Sequence, residues 1–422
     1  MNIISILKSK SNEVRNVKYL FILQLVDRIT PLIVIPYLMV TLGAEKYGYI
    51  GFSSAVIQYL VLLTSFGFAL SATQRIAVAN HNGKEEISRI FFSTVIAQVS
   101  LLIVGTILGI IVILSFNKIK IYADTILCTY PMAVGTALST TWFFQGIGKI
   151  RIPALVFCFS RMLILPLTFI FVKNSKDYNY AAIIQSFVYI ISSVVNIILI
   201  IKLNIITKVR IAISDILHEL KESYPLFLST FATSAYTQLF TIILGFFSSS
   251  TVVGRYSAAE KIMRSLCFAI YSPISTAYYP KISSLAFEDK DCAKVLLLKL
   301  KHIILIVMIC LSLCLLFFAS PLTSILGNGY DGLTTLVRII SPTPIAIALG
   351  AIYGQMGLIA MGNYDSKKYF KQAYVIAAFF SIALVFILTY FYKEIGTAIS
   401  LVLTEYFVFI MMYYYCRIKI FS

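Results

Sequence analysis

The sequence predicts an all-α polytopic membrane protein: about twelve transmembrane helices in two six-helix lobes, related by a pseudo-two-fold axis around a central cavity. Three observations predict it. The 422 residues are 59% apolar and only 13% charged, against about 45–50% apolar in soluble domains. The apolar residues fall in runs of roughly 20, separated by short basic loops, which is the length that crosses a hydrocarbon core of about 30 Å. The two halves also superimpose at an offset of 206 positions.

Inside a hydrocarbon core only helices and closed barrels satisfy their backbone groups. Barrel strands would alternate over about ten residues, and the runs at 303–319 and 373–390 do not alternate. Helices are therefore expected near residues 18–41, 48–73, 88–115, 121–144, 152–172 and 179–201, then 224–247, 255–279, 302–319, 334–361, 372–392 and 395–416. Residues 1–17 are polar and basic. The run after them is too long for the apolar core of a cleavable signal peptide, so it is expected to stay as the first span. The expected lobes are 1–201 and 224–422, joined by a cytoplasmic segment at 202–223. That segment and 280–301 mix charged with apolar residues and read as amphipathic helices lying against headgroups.

At the 206-residue offset, Gly48 meets Gly254 where each half turns from its first helix to its second. Arg75-Ile76-Ala77 meets Lys281-Ile282-Ser283 where each second helix ends. The offset spans an even number of helices, so both halves share one orientation about an axis along the membrane normal. Transporters built on such repeats place their substrate near the midplane, between the halves.

The net charge of +17 would suggest nucleic acid in a soluble chain. Here the bases sit between the apolar runs and read as topology, so no nucleic-acid partner is expected. Alternate loops carry about 23 Lys and Arg against about seven on the other side, a bias that places both termini in the cytoplasm. Tyr413–Tyr415 beside Arg417 fit an interfacial aromatic belt on that side.

The seven cysteines lie mostly within apolar helices without C-x-x-C spacing, and His81, His218 and His302 are scattered. Neither set suggests a metal site. There is no Gly-x-x-x-x-Gly-Lys-Ser/Thr loop and no loop large enough for a catalytic domain. No cofactor is expected and the chain does not read as an enzyme; any energy required must come from an ion gradient, a substrate gradient or a partner.

Ionisable residues lie well inside the runs: Asp27, Arg28, Arg161, Glu260, Lys261, Arg264, Arg338 and Glu405. An unpaired charge at that depth costs at least about 2.5–3.5 kcal/mol, so each should face a partner or a wet cavity. One reading is that they pair among themselves and lock helices together; Glu260 and Arg264, spaced i,i+4, suit that. As a set, however, five bases face three acids, and a surplus of positive charge fits an anionic cargo. The planar fork of arginine suits phosphate oxygens. Arg28, Arg161, Lys261, Arg264 and Arg338 are therefore the candidate substrate-binding residues. Asp27, Glu260 and Glu405 are candidates for ion coupling or structural pairing. Pro31, Pro36, Pro273, Pro342 and Pro344 bend the helices that carry several of these groups.

Several segments also resemble a known family. They are Thr41-Leu42-Gly43 with Tyr47-Gly48, Phe66-Gly67-Phe68 through Ser71-Ala72-Thr73-Gln74, and Trp142-Phe143-Phe144-Gln145-Gly146. In the second half, residues 253–262 and 279–283, Ile340-Ser341-Pro342, Glu394-Ile395-Gly396 and Thr404-Glu405 follow in order. Singly these are weak; their order and spacing over nearly the whole chain resemble the Wzx-type O-antigen flippases. These belong to the multidrug/oligosaccharidyl-lipid/polysaccharide exporters.

The resemblance implies two six-helix lobes in a V shape and an undecaprenyl-pyrophosphate-linked oligosaccharide as cargo. It implies movement from the cytoplasmic to the periplasmic leaflet of an inner membrane, and O-antigen polymerase and the chain-length regulator as neighbours in the pathway. It carries over no invariant active site. The rival readings are a cation-coupled multidrug exporter, for which Asp27 would be the natural carboxylate, and a membrane polymerase of the same pathway. The excess of bases argues against the first, and the short exported loops against the second.

Overall fold

The computed structural model describes the backbone of residues 3–80, 83–326, 329–362 and 364–421, and their side chains apart from residues 3–28, 225, 229, 232–236 and 364. Among the described residues there are helices and turns and no strand. Seven helical stretches among them are long and apolar enough to cross a membrane. Two of these, Ile29–Ala79 and Asp365–Phe421, are 51 and 57 residues long, enough at 1.5 Å per residue for two passes each. On helix Lys84–Ser115, Ile107, Ile110, Ile111 and Leu114 are all more than half exposed. Each would gain about 1.5–3 kcal/mol by leaving water, so such a face is stable against lipid. The chain is a multi-pass membrane protein.

Glycine and proline decide where the runs break. Helix Ile3–Ser65 is interrupted at Gly43 (φ 71°, ψ 168°), a backbone state that glycine enters without a Cβ penalty. A second break at Phe66–Gly67, both with positive φ, precedes helix Phe68–Ala79. The expected helix at 121–144 is instead a chain of short ones, Ala123–Thr129, Pro131–Ala137 and Thr141–Gly146. The expected helix at 152–172 divides into Arg151–Met162 and Ile164–Phe171, where the Pro166 ring would meet the carbonyl four residues back. Pro342 separates Leu333–Ile340 from Thr343–Ala351, whereas Pro31, Pro36 and Pro273 lie within continuous helix.

The expected surface helices prove to be extensions of the passes. Residues 213–223 run without interruption into the seventh pass as helix Ile213–Phe247. The 280–301 segment is the end of Ser250–Glu288 and the start of Lys290–Phe317. Between these two helices the Asp289 carboxylate accepts hydrogen bonds from the Asp291 and Cys292 amides, satisfying donors that a helix start leaves open. The backbone amides of Cys292 and Asp291 hold the Asp289 carboxyl below its ordinary range.

The chain packs into two compact units. One comprises Met1–Thr30, Val56–Lys173 and Asp177–Phe231; the other comprises Pro31–Ala55, Asn174–Lys176 and Ala232–Ser422. Phe68, Ile76, Phe91, Trp142, Phe143 and Phe144 form the core of the first unit. There the start of the seventh pass lies antiparallel to the second: Phe66 stacks on Phe227 at 4.4 Å, Ser71 Oγ meets Ser223 Oγ at 2.7 Å, and Arg75 pairs with Glu219.

In the second unit, the helix after Gly43 crosses the start of Ser250–Glu288 backbone to backbone. A Cβ on Gly48 would overlap the Ser250 carbonyl, and one on Gly254 the Ala44 carbonyl. A Cβ on Gly51 would meet Ser257. Two of the contacting pairs, Gly48 with Gly254 and Gly51 with Ser257, are separated by 206 positions. The offset read from the sequence is therefore also a contact made in space.

The last long helix, Tyr364–Cys416, is two passes folded together at Lys393 (φ 49°). Across that turn Thr389 and Thr397 hydroxyls are 2.8 Å apart, and Ser400 Oγ donates to the Leu384 carbonyl.

Candidate functional site

Four of the eight charged candidates gather in the second unit. Ser250–Glu288 places Glu260 and Arg264 one turn apart on one face, and the returning half of Tyr364–Cys416 brings Glu405 to the same guanidinium. Arg264 Nε donates to Glu260 Oε1 at 2.9 Å and Nη2 to Glu405 Oε1 at 3.3 Å. All three side chains are largely buried, at 19%, 11% and 7% exposure for Arg264, Glu260 and Glu405. The arrangement carries one more acid than base. Removing one partner of a buried pair strands the other charge, at a cost of about 3–5 kcal/mol.

Lys261, the next residue along the helix, faces elsewhere. Its ammonium lies over the Tyr47 ring, 5.3 Å from the centroid, a distance at which the ring quadrupole attracts a cation. With it the group is balanced, two bases against two acids. The surplus of positive charge expected from the sequence is therefore not concentrated here.

Arg161 and Arg338 lie on other elements. Arg161, in the first unit on helix Arg151–Met162, donates from Nη2 to the Tyr189 hydroxyl at 3.1 Å. Its guanidinium also lies over the Phe157 and Tyr189 rings at 5.4 and 5.2 Å. Arg338 is exposed in the last turn of Leu333–Ile340. The side chains of Asp27 and Arg28 lie outside the described residues. No group of three or more His, Cys, Asp or Glu suited to a metal occurs among the described residues.

Two further charged contacts join residues that the sequence did not mark as candidates for a site. Arg255 Nε donates to Glu394 Oε2 at 3.0 Å and its Nη2 sits 2.8 Å from Oε1, a two-point fork, while Nη1 donates to the Asp331 carbonyl at 2.9 Å. Glu219 is fully buried between Arg75 and Ser93, whose hydroxyl donates to Oε1 at 3.1 Å. Burial raises the Glu219 carboxyl above its ordinary range, against the opposing pull of Arg75 and Ser93. No local spacing links residue 75 to 219 or 255 to 394; only the fold does.

Helical passes that hold paired charges within an apolar bundle define a polytopic membrane protein as the class of protein. The model of a family described as polysaccharide biosynthesis protein matches residues 14–286. The chain belongs to this polysaccharide biosynthesis protein family.

Two relatives carry the name "Putative O-antigen transporter": one from Escherichia coli (strain K12), 34% identical over 404 residues and 96% of both chains, and one from Shigella dysenteriae, 28% identical over 94% of this chain and 98% of that protein. Among solved structures, an inward-facing multidrug resistance MATE family transporter of the MOP superfamily aligns with TM-score 0.74 at 13% identity, over 93% of this chain and 94% of its own. Lipid II flippase MurJ, in an inward closed conformation, aligns with TM-score 0.72 at 17% identity, over 92% and 85%. At these identities the structures speak for the fold, which is the two-lobed one the resemblance implied. The names of these relatives and neighbours are those of transporters and flippases, not enzymes.

Proposed function

We propose that this protein is a flippase. It carries undecaprenyl-pyrophosphate-linked O-antigen oligosaccharide units from the cytoplasmic to the periplasmic leaflet of a bacterial inner membrane by alternating access. The observation that carries this reading is a relationship at 34% identity, spanning 96% of both chains, to a protein named for O-antigen transport. Chemistry supports it: among the candidate bases Arg28, Arg161, Lys261, Arg264 and Arg338, those that no carboxylate engages are available to a pyrophosphate while the polyprenyl tail stays in the bilayer, and Glu260 and Glu405 take Arg264 out of that set. Asp27, Glu260 and Glu405 are the carboxylates available to a coupling ion. The loop-charge bias puts both termini in the cytoplasm, with O-antigen polymerase and the chain-length regulator as partners on the periplasmic side.

The test is deletion with complementation. Loss of the gene is expected to remove surface O-polysaccharide and to trap lipid-linked repeat units on the cytoplasmic side, both restored by the wild-type chain. Unchanged surface O-polysaccharide, together with altered drug accumulation, would replace the reading with a multidrug exporter.

A further inference from the structure

The sequence nominates arginine as the residue for an anion, yet the structure commits Arg264 to two carboxylates. Its neighbour Lys261 is different: no ion pair joins it to any described residue. Its ammonium rests on Tyr47, which is 1% exposed and whose hydroxyl has no hydrogen-bond partner among the described residues. Tyr330 repeats the pattern, with 4% exposure and a buried hydroxyl without a partner among the described residues.

The loop that carries Tyr330 is seated on the same two elements. A Cβ on Gly329 would touch Ala44, one turn before Tyr47. Arg255, on the helix of Lys261, donates to the Asp331 carbonyl at 2.9 Å, and Tyr330 is an electrostatic neighbour of Tyr47. Three elements of one unit thus bring together an ammonium without an ion pair and two phenol groups without acceptors, among the described residues. A buried hydroxyl left unpaired costs about 1–3 kcal/mol. One multi-oxygen anion would answer all three groups, because phosphate offers several acceptors to donors arriving from different directions.

We propose that Lys261, Tyr47 and Tyr330 form a phosphate-binding seat, with Glu260 and Glu405 holding Arg264 out of that role. That the phosphate is the diphosphate of a lipid-linked sugar rests on the flippase reading; the seat itself does not.

The test uses the purified full-length chain in nanodiscs of zwitterionic lipid, titrated with inorganic pyrophosphate and followed by thermal stability. Wild type is expected to be stabilised in a saturable way. K261Q, Y47F and Y330F should each raise the half-saturating concentration about tenfold or more, as loss of a hydrogen bond to a charged group implies. K261R, which keeps the charge, should fall between. Should a variant fail to fold, its unliganded melting temperature reports this and the remaining variants decide.

Titration of K261Q indistinguishable from wild type overturns the seat, as does equal stabilisation by sulfate at matched ionic strength. Nanodiscs doped with undecaprenyl diphosphate or with phosphatidylglycerol then separate the sources. Competition by the first alone assigns the seat to the carrier lipid, and equal competition by the second overturns that assignment. If K261Q loses pyrophosphate binding yet restores surface O-polysaccharide in cells, the seat stands and its link to flipping falls.

Discussion

At the residue scale, the consequence of burying charge is that partners become mutually obligatory. Glu405→Gln removes one of the two carboxylates that Arg264 meets among the described residues and is expected to destabilise the folded chain by about 3–5 kcal/mol at most, with Glu405→Gln/Arg264→Gln recovering part of that loss. Thermal denaturation of both variants in one detergent checks this; an additive double variant would refute coupling.

Glu219 makes a pH prediction. Its folded carboxyl titrates above the ordinary value of 4.5, because burial outweighs Arg75 and Ser93. An acid with a raised folded pKa favours the folded state fully below its unfolded pKa, and that contribution is lost as pH rises through the folded pKa. Wild type is therefore expected to gain stability relative to Glu219→Gln as pH falls from neutral to 4.5. A pH-independent difference between the two melting curves would contradict it. Depth and charge marked Glu260, Arg264 and Glu405 from the sequence alone, because a buried charge is rare enough to notice. Tyr47 entered the sequence reading only within a family motif and Tyr330 not at all, since the buried hydroxyl that marks each is seen only in the structure.

At the scale of elements, breaks matter more than spans. The helix crossing at Gly48 and Gly254 is backbone against backbone, so no rotamer change can relieve an added methyl. Gly48→Ala and Gly254→Ala are each expected to lower stability by about 1–3 kcal/mol, the usual range for overpacking. Gly109, in the middle of Lys84–Ser115, has nothing within 4 Å of an added Cβ. Gly109→Ala should be neutral or stabilising by up to about 1 kcal/mol through helix propensity. Equal melting temperatures for all three would show that the crossing is not tight. The spans themselves were legible because hydropathy over about 20 residues averages out local detail. The fragmentation of 117–146 was not, because the helix-breaking effect of Pro131 depends on what neighbouring helices supply to the freed backbone groups.

For the whole molecule, orientation is the property on which the direction of transport depends. A phosphatase reporter active only outside the cytoplasm is expected to be active when fused within residues 116–121 and inactive within 203–212. The reverse pattern would invert the chain and the proposed direction with it. The repeat bears on the same scale. A parallel repeat gives both halves one orientation, and the contact of Gly48 with Gly254 shows that the equivalent helices meet at their own equivalent positions.

What the sequence determined by itself was the solvent, the element type, the approximate spans, the repeat offset and the family. These follow from hydropathy, backbone satisfaction and local motifs, all of which are summed along the chain. Tertiary structure alone decided which charges neutralise one another, because pairing depends on which helices adjoin. Glu405 reaches Arg264 across 141 positions, and that contact turns a row of apparent surplus bases into one satisfied arginine and one lysine without an ion pair among the described residues.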